Sequence, residues 1–339
     1  MAADNIETGS VNPEARKRLM ESISTHIARD SRVYAVLEGA LFNDLPTQLS
    51  VAGIAHRSLY RGGDRNLIVG GPWLVNLGHH HPTDDDLYEV LGDDSIKLKD
   101  EIVARPAEPV VQIEALWQIV TDSRAAVFWI GDSSLTEDAL YTHLRTINEI
   151  LILAEGGGPA ERVTFRHSDA NVMAQVLPAL DEVQFARLLG PARSILFTPH
   201  DDWGGGLKRA DRPEGILATA AGPLVFSIEG IKNIEAVRFD WLSARTSKYL
   251  REYGKQHVAE KTDAEIQADV NVWLRSSLNY GVSLESAHRK WCYMQLVTQG
   301  LLEGYPGVRE YMYSSYPEPD ANIRVSDLMN GLINKLREL

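Results

Sequence analysis

The sequence predicts an α/β (α+β) protein: a mixed β-sheet lobe with flanking helices, followed by an all-helical C-terminal lobe. Three observations predict it. Short β-branched and aromatic runs alternate with amphipathic stretches as far as Gly230. Their order implies hairpins as well as crossovers, hence a mixed rather than an all-parallel sheet. Beyond Gly230 the segments lengthen to helical spans that end in Gly. An α/β domain over 1–230 and a helical lobe over 231–339 are therefore expected.

The elements follow in order. Pro13 to Ala28 reads as an amphipathic helix, with Asn12 as N-cap and Pro13 at the first helical position. VYAVLEGAL, RSLYRGG and GPWLVNL read as short strands. An acidic region follows, then a helix from Pro109 to Asp122 and the strand AVFWI. In GDSSLTEDALYTHLRTI, Ser134 and Glu137 have the spacing of a capping box, and Leu135, Leu140, Leu144 and Ile147 form one apolar face. EILILAEGGGPAERVTFR reads as a hairpin, followed by short helices around Asn171–Leu177 and Asp181–Leu188. GPARSILFTP and GPLVFSI supply two more strands. In the second lobe, Thr262 or Asp263 is expected to cap one long helix and Ser283 the next, before a short helix in YPGVREYMYSSYPEPDANIR and a terminal one in VSDLMNGLINKLREL.

The 339 residues carry a net charge of −13. Residues 1–230 hold 33 acidic and 20 basic side chains, so all of the net charge lies there. Residues 84–114 alone have ten acids against three bases. Such a surface repels nucleic acid and anionic lipid, so neither is expected as a partner. The N-terminal MAADNIETGS is acidic, unlike the basic start of a secretory signal, and ILATAAGPLVFSI is too short to span a bilayer. One cysteine, Cys292, fits a reducing compartment, and a cytoplasmic location is expected.

Three places in the sequence offer candidate chemistry. His79, His80 and His81 precede Asp84, Asp85 and Asp86, residue types that suit a divalent metal. Adjacent histidines alternate sides in an extended segment, however, and the aspartates suit a first helical turn. No metal is expected there. Second, a serine after a strand at a helix start, as in IGDSSL, resembles the Gly-Asp-Ser block of one class of esterases, with Ser133 or Ser134 as nucleophile. The Asp-x-x-His of that class is missing, and Glu285-Ser286-Ala287-His288 is the closest string. Third, the glycine clusters match neither a P-loop nor a dinucleotide fingerprint, so no cofactor is expected. Asp169, between a strand and a helix, reads as an N-cap.

VYAVLEGALF, then SLYRG, GPWLVNL, the helix ending in HLR and VTFRHSDANVMAQVLPALDEVQFARLLGPARSIL, taken in this order, resemble a domain-of-unknown-function family of type VI secretion, the effector chaperones or adaptors of the Tap/TEC and VasW kind. Tyr34, Leu37, Gly39 and Ala40 match its first block, Tyr-x-Leu-hydrophobic-Asp-Gly-Ala, with Glu38 in place of the acid. Gly71, Pro72, Trp73 and Leu74 match the second block. Phe165, Arg166 and Asp169 match the third, Phe-Arg-x-Tyr-Asp-Pro, with Ser168 and Ala170 in place of the tyrosine and proline. The resemblance covers roughly residues 32–200, and Asn279-Tyr280-Gly281 resembles the family's C-terminal region.

The resemblance implies a non-enzymatic bacterial protein that binds a cognate secreted effector, encoded nearby, and helps load it onto the VgrG spike or its PAAR tip. A serine hydrolase using Ser133 or Ser134 is the alternative. Partner contact is expected through aromatics set among turn residues beside the lobe junction: Trp203 in DDWGGG, and Tyr311, Tyr313 and Tyr316 in YMYSSYPEP.

Overall fold

The computed structural model describes residues 13–29, 31–77, 109–216, 222–314 and 318–337. The chain divides into two compact units, Met1–Val237 and Arg238–Leu339, and the division falls within the helix Ile228–Tyr253.

The first unit is built on strands β1 (Arg32–Glu38), β2 (His56–Ser58), β3 (Pro72–Asn76), β4 (Ala126–Gly131), β5 (Glu149–Ile152), β6 (Glu161–Thr164), β7 (Ser194–Phe197), β8 (Lys208–Asp211) and β9 (Leu224–Phe226). Six of them form one sheet in the order β2-β3-β1-β4-β7-β8, antiparallel throughout. The other three form a small sheet, β6-β5-β9. There the β5–β6 hairpin is antiparallel and β5–β9 parallel, so the mixed character resides in the small sheet.

Both faces of the large sheet are covered, which explains the nearly continuous apolar runs of its central strands. On β1, Val33, Ala35 and Leu37 face one core and Tyr34 and Val36 the other, the two-residue period of a strand. The first core packs Leu19 and Ile23, Leu45 and Leu49, and Leu116 and Trp117, from three helices, against Trp73, Phe128 and Leu196. The second packs Leu140, Leu144, Met173, Leu188 and the small sheet's Ile150 and Phe226 against Trp129 and Ile195. Antiparallel sheets often leave one face wet; AVFWI has no wet face and does not alternate.

Two predicted helix starts are corrected. Ser134 and Glu137 form no capping box. Asp132 accepts the backbone N–H of Ser134 at 2.9 Å, and Thr136 is the N-cap of the helix Glu137–Ile147, accepting from Ala139 N at 3.2 Å. Glu137 turns to the sheet and accepts from Asn76 Nδ2 at 2.9 Å. Ser283 is not a cap either. The helix Glu285–Val297 begins after Leu284, and Asn322 Oδ1 accepts the N–H groups of Ser283 and Leu284 at 3.0 and 2.9 Å.

The second unit is helical. Thr262 caps Asp263–Asn279 through a capping box with Glu265. Its core gathers Leu250, Val270, Leu274, Trp291, Met294, Met312 and Val325. Cys292 lies in the same core, and burial pushes its thiol pKa up. Among the described residues no helix is long and apolar enough to cross a membrane.

Candidate functional site

The three sequence blocks meet at the end of β1. Antiparallel register sets Glu38 opposite Pro72, and Gly39 N–H donates to Gly71 O at 3.0 Å. A Cβ on Gly39 would overlap the carbonyl oxygens of Val69 and Gly71, and one on Gly71 would overlap the Tyr60 ring. Only glycine permits this approach. It leaves the Glu38 carboxylate, 4% exposed, aimed at the turn before the helix Ala170–Val176.

That turn answers the buried charge. Arg166 Nε lies 3.2 Å from Glu38 Oε1, and Ser168 Oγ donates to Glu38 Oε2 at 2.5 Å. Arg166 Nη2 also reaches Asp169 Oδ2 at 3.2 Å. The other oxygen of Asp169 accepts from Asn171 N at 2.8 Å and Val172 N at 3.3 Å, so Asp169 is the expected N-cap. A buried carboxylate is tolerable when paired and hydrogen-bonded in this way.

His167, fully buried between these residues, joins a second layer. Its Nε2 lies 2.8 Å from Asn148 Oδ1, and Asn148 Nδ2 donates to Leu59 O at 3.1 Å. Its Nδ1 has no hydrogen-bond partner. Burial, with the nearby His143 adding to it, lowers the His167 pKa to about 3, so the ring is neutral. His143 is lowered to about 4, first by burial and then by the charges of Arg187 and Arg212, against a hydrogen bond with Leu188 O that favours protonation. The acid and hydroxyl of this cluster thus bind one another, and the imidazole binds the Asn148 side chain. On its outer side Gly39 and Ala40 line an open pocket of about 360 Å³ with Asp44 and Arg65.

The structure does not support the hydrolase alternative. Ser134 Oγ donates to Asp132, which also pairs with Arg193. Among the described residues no hydrogen bond joins Ser133 or Ser134 to a histidine; His143 is bonded to Leu188 O, and His288 to Ser277 Oγ. No group of three or more His, Cys, Asp or Glu among the described residues is placed to hold a metal. His79–His81 and Asp84–Asp86 lie outside the described residues.

The aromatic candidates differ in setting. Trp203, half-buried, ends the short turn of helix Asp201–Trp203 in the first unit. In the second unit Tyr311 is half-buried and its hydroxyl donates to Asp327 Oδ2 at 3.0 Å. Tyr313 is 70% exposed, its ring edge-on to Tyr280 with centroids 4.8 Å apart. Tyr316 lies outside the described residues. The sequence reading missed Asn148 as the support of His167, because the two are joined only through the fold.

Comparison with known proteins gives one family match. Residues 33–187 match the model of a family described as a domain of unknown function (DUF4123). The matched span runs from β1 to the helix Glu182–Leu189 and contains all three blocks that meet at Glu38. No curated protein and no solved structure matches the chain.

Proposed function

We propose that this chain is a non-enzymatic adaptor of a bacterial type VI secretion system, binding a toxic effector in the cytoplasm and bringing it to the VgrG spike or its PAAR tip. The observation that carries the reading is the match of residues 33–187 to DUF4123, a domain known from Tap/TEC-like effector adaptors. The convergence of Glu38–Gly39, Gly71–Pro72 and Arg166–Asp169 on one buried cluster supports it. These blocks hold the sheet, the loop before β3 and a helix start together, a role in building a scaffold on which a binding surface is displayed. The paired serine and aspartate of IGDSSL serve a turn, which agrees with a protein that binds and does no chemistry.

The test is co-expression with the large toxin and the spike protein encoded beside it, followed by affinity purification of the chain. The toxin is expected to co-purify, and to accumulate in soluble form only when the chain is present. Purification of the folded chain with neither toxin nor spike component would overturn the assignment.

A further inference from the structure

An open pocket of about 450 Å³ lies on the first unit beside the helix Glu137–Ile147. Three arginines from three elements converge there on one tyrosine. Arg57 comes from β2, at the edge of the sheet; Arg61 from the glycine turn after it; Arg145 from the helix, four residues after Tyr141. Their guanidinium carbons lie 3.5, 5.5 and 5.6 Å from the centroid of the Tyr141 ring. Tyr141 is only 4% exposed, so the fold fixes its ring, and Arg61 Nε donates to its hydroxyl at 3.1 Å. Among the described residues that line the pocket Asp138 is the one carboxylate; it reaches Arg57 Nη1 at 2.9 Å with its side chain 88% exposed.

Arg57 is already engaged by Asp138, whereas no carboxylate among the described residues pairs with Arg61 or Arg145, so these two make the described lining of the pocket positive on a chain of net charge −13. Stacking on one ring orients the planar groups while holding like charges close, an arrangement that an added anion relieves. Guanidinium forks match carboxylates in paired hydrogen bonds. The chain's overall negative charge selects against long polyanions such as nucleic acid or an anionic membrane, whereas a short acidic peptide needs to meet only the pocket. We propose that Arg61 and Arg145, held against the Tyr141 ring beside the Arg57–Asp138 pair, form a docking site for the carboxylates of a short acidic segment of a partner protein. That the partner is the secreted toxin rests on the adaptor reading; the pocket's anion preference does not.

The experiment measures binding of the full chain to a short labelled peptide of alternating Glu and Gly, by fluorescence anisotropy. Its Gln counterpart, inorganic phosphate and a single-stranded oligonucleotide are the comparison probes. Saturable binding of the Glu peptide is expected, weakened by salt, absent with the Gln peptide, and about tenfold weaker in Arg61→Gln/Arg145→Gln. If that double variant does not fold, Arg145→Gln alone, at an exposed position, is expected to weaken binding in the same sense. Undiminished binding by the folded variants overturns the proposal. So does equal binding of the Gln peptide, or tighter binding of phosphate or the oligonucleotide at the same arginines. Toxin capture is measured in parallel. Capture by wild type and arginine variants alike rejects the pocket and leaves the adaptor reading standing. Arginine-dependent peptide binding without toxin capture does the reverse.

Discussion

Ser168 Oγ donates to Glu38 Oε2 at 2.5 Å, and these are two of the positions where the chain departs from the motifs it resembles. Where those motifs have Asp and Tyr, this chain has a longer acid and a shorter hydroxyl. The extra methylene of Glu38 extends its carboxylate toward the turn, where the Ser168 hydroxyl meets it. Ser168→Ala should cost about 1–3 kcal/mol, because one oxygen of a buried carboxylate loses its donor. Ser168→Ala combined with Glu38→Gln should cost less than the sum of the single changes, a coupling above roughly 0.5 kcal/mol in urea denaturation. Strict additivity would show that the pair is not coupled.

Asp169 caps the helix Ala170–Val176 with one oxygen and meets Arg166 with the other. Asp169→Ala should lower stability by about 1 kcal/mol through the lost cap. Arg166 is almost half exposed, so its ion pair with Asp169 adds little to that. Asp169→Asn, which keeps a capping oxygen, should recover most of the loss in a thermal melt. An unchanged melting temperature in Asp169→Ala, together with lost toxin capture, would instead make Asp169 a binding residue.

How much of this could be read in advance depended on distance along the chain. Strands β1, β3 and β4 announced themselves as short runs of Val, Leu, Trp and Phe, and Asp169 as a cap, because those signals lie within a few residues. Strand β8, KRAD, did not, since it is a polar edge strand whose place is set by its pairing with β7. Ser283 is no cap because its hydroxyl accepts instead from Asn322 Nδ2, 39 residues away, and the helix starts after Leu284 with no side-chain cap. In the candidate site, the motif residues were visible but their pairing was not: Glu38 and Ser168 are 130 positions apart. The arginines at 57, 61 and 145 likewise share no periodicity and meet only when β2 is folded beside the helix Glu137–Ile147.

Two histidines of the first unit, His143 and His167, make stability sensitive to acid. Both have an ordinary value of 6.5, and in the folded chain His143 is lowered to about 4 and His167 to about 3, in each case chiefly by burial. Between those values the unfolded chain binds more protons than the folded one, so stability rises with pH there. Their contribution is complete above pH 6.5 and is lost as pH falls toward 4 and then 3. The urea midpoint should therefore drop between about pH 7.5 and about pH 5, and the drop should shrink in His143→Gln/His167→Gln. An imidazole proton resonance of either residue that titrates near 6.5 in the folded chain would contradict the mechanism.

Tyr313 is the aromatic whose removal best separates binding from folding. Its side chain is 70% exposed, and its contact with Tyr280 is a single edge-on ring pair. Tyr280 has support of its own, a hydroxyl bond to Glu303 at 2.8 Å and a ring contact with Trp291 at 5.3 Å. An aromatic pair of this kind contributes about 1 kcal/mol, which bounds the stability lost in Tyr313→Ala. Tyr311 is less suitable, because its hydroxyl bond to Asp327 ties it to the helix Ala321–Arg337. An exposed ring held by a second, anchored ring has the form of a contact residue, since little entropy remains to be lost when a partner covers it. Tyr313→Ala should then reduce capture of the co-expressed toxin by about fivefold or more while the melting curve stays nearly in place. Trp203→Ala, in the other unit, is the parallel variant. If both fold and capture the toxin as well as wild type does, the cargo is held by some other surface, and the arginine pocket becomes the first place to look.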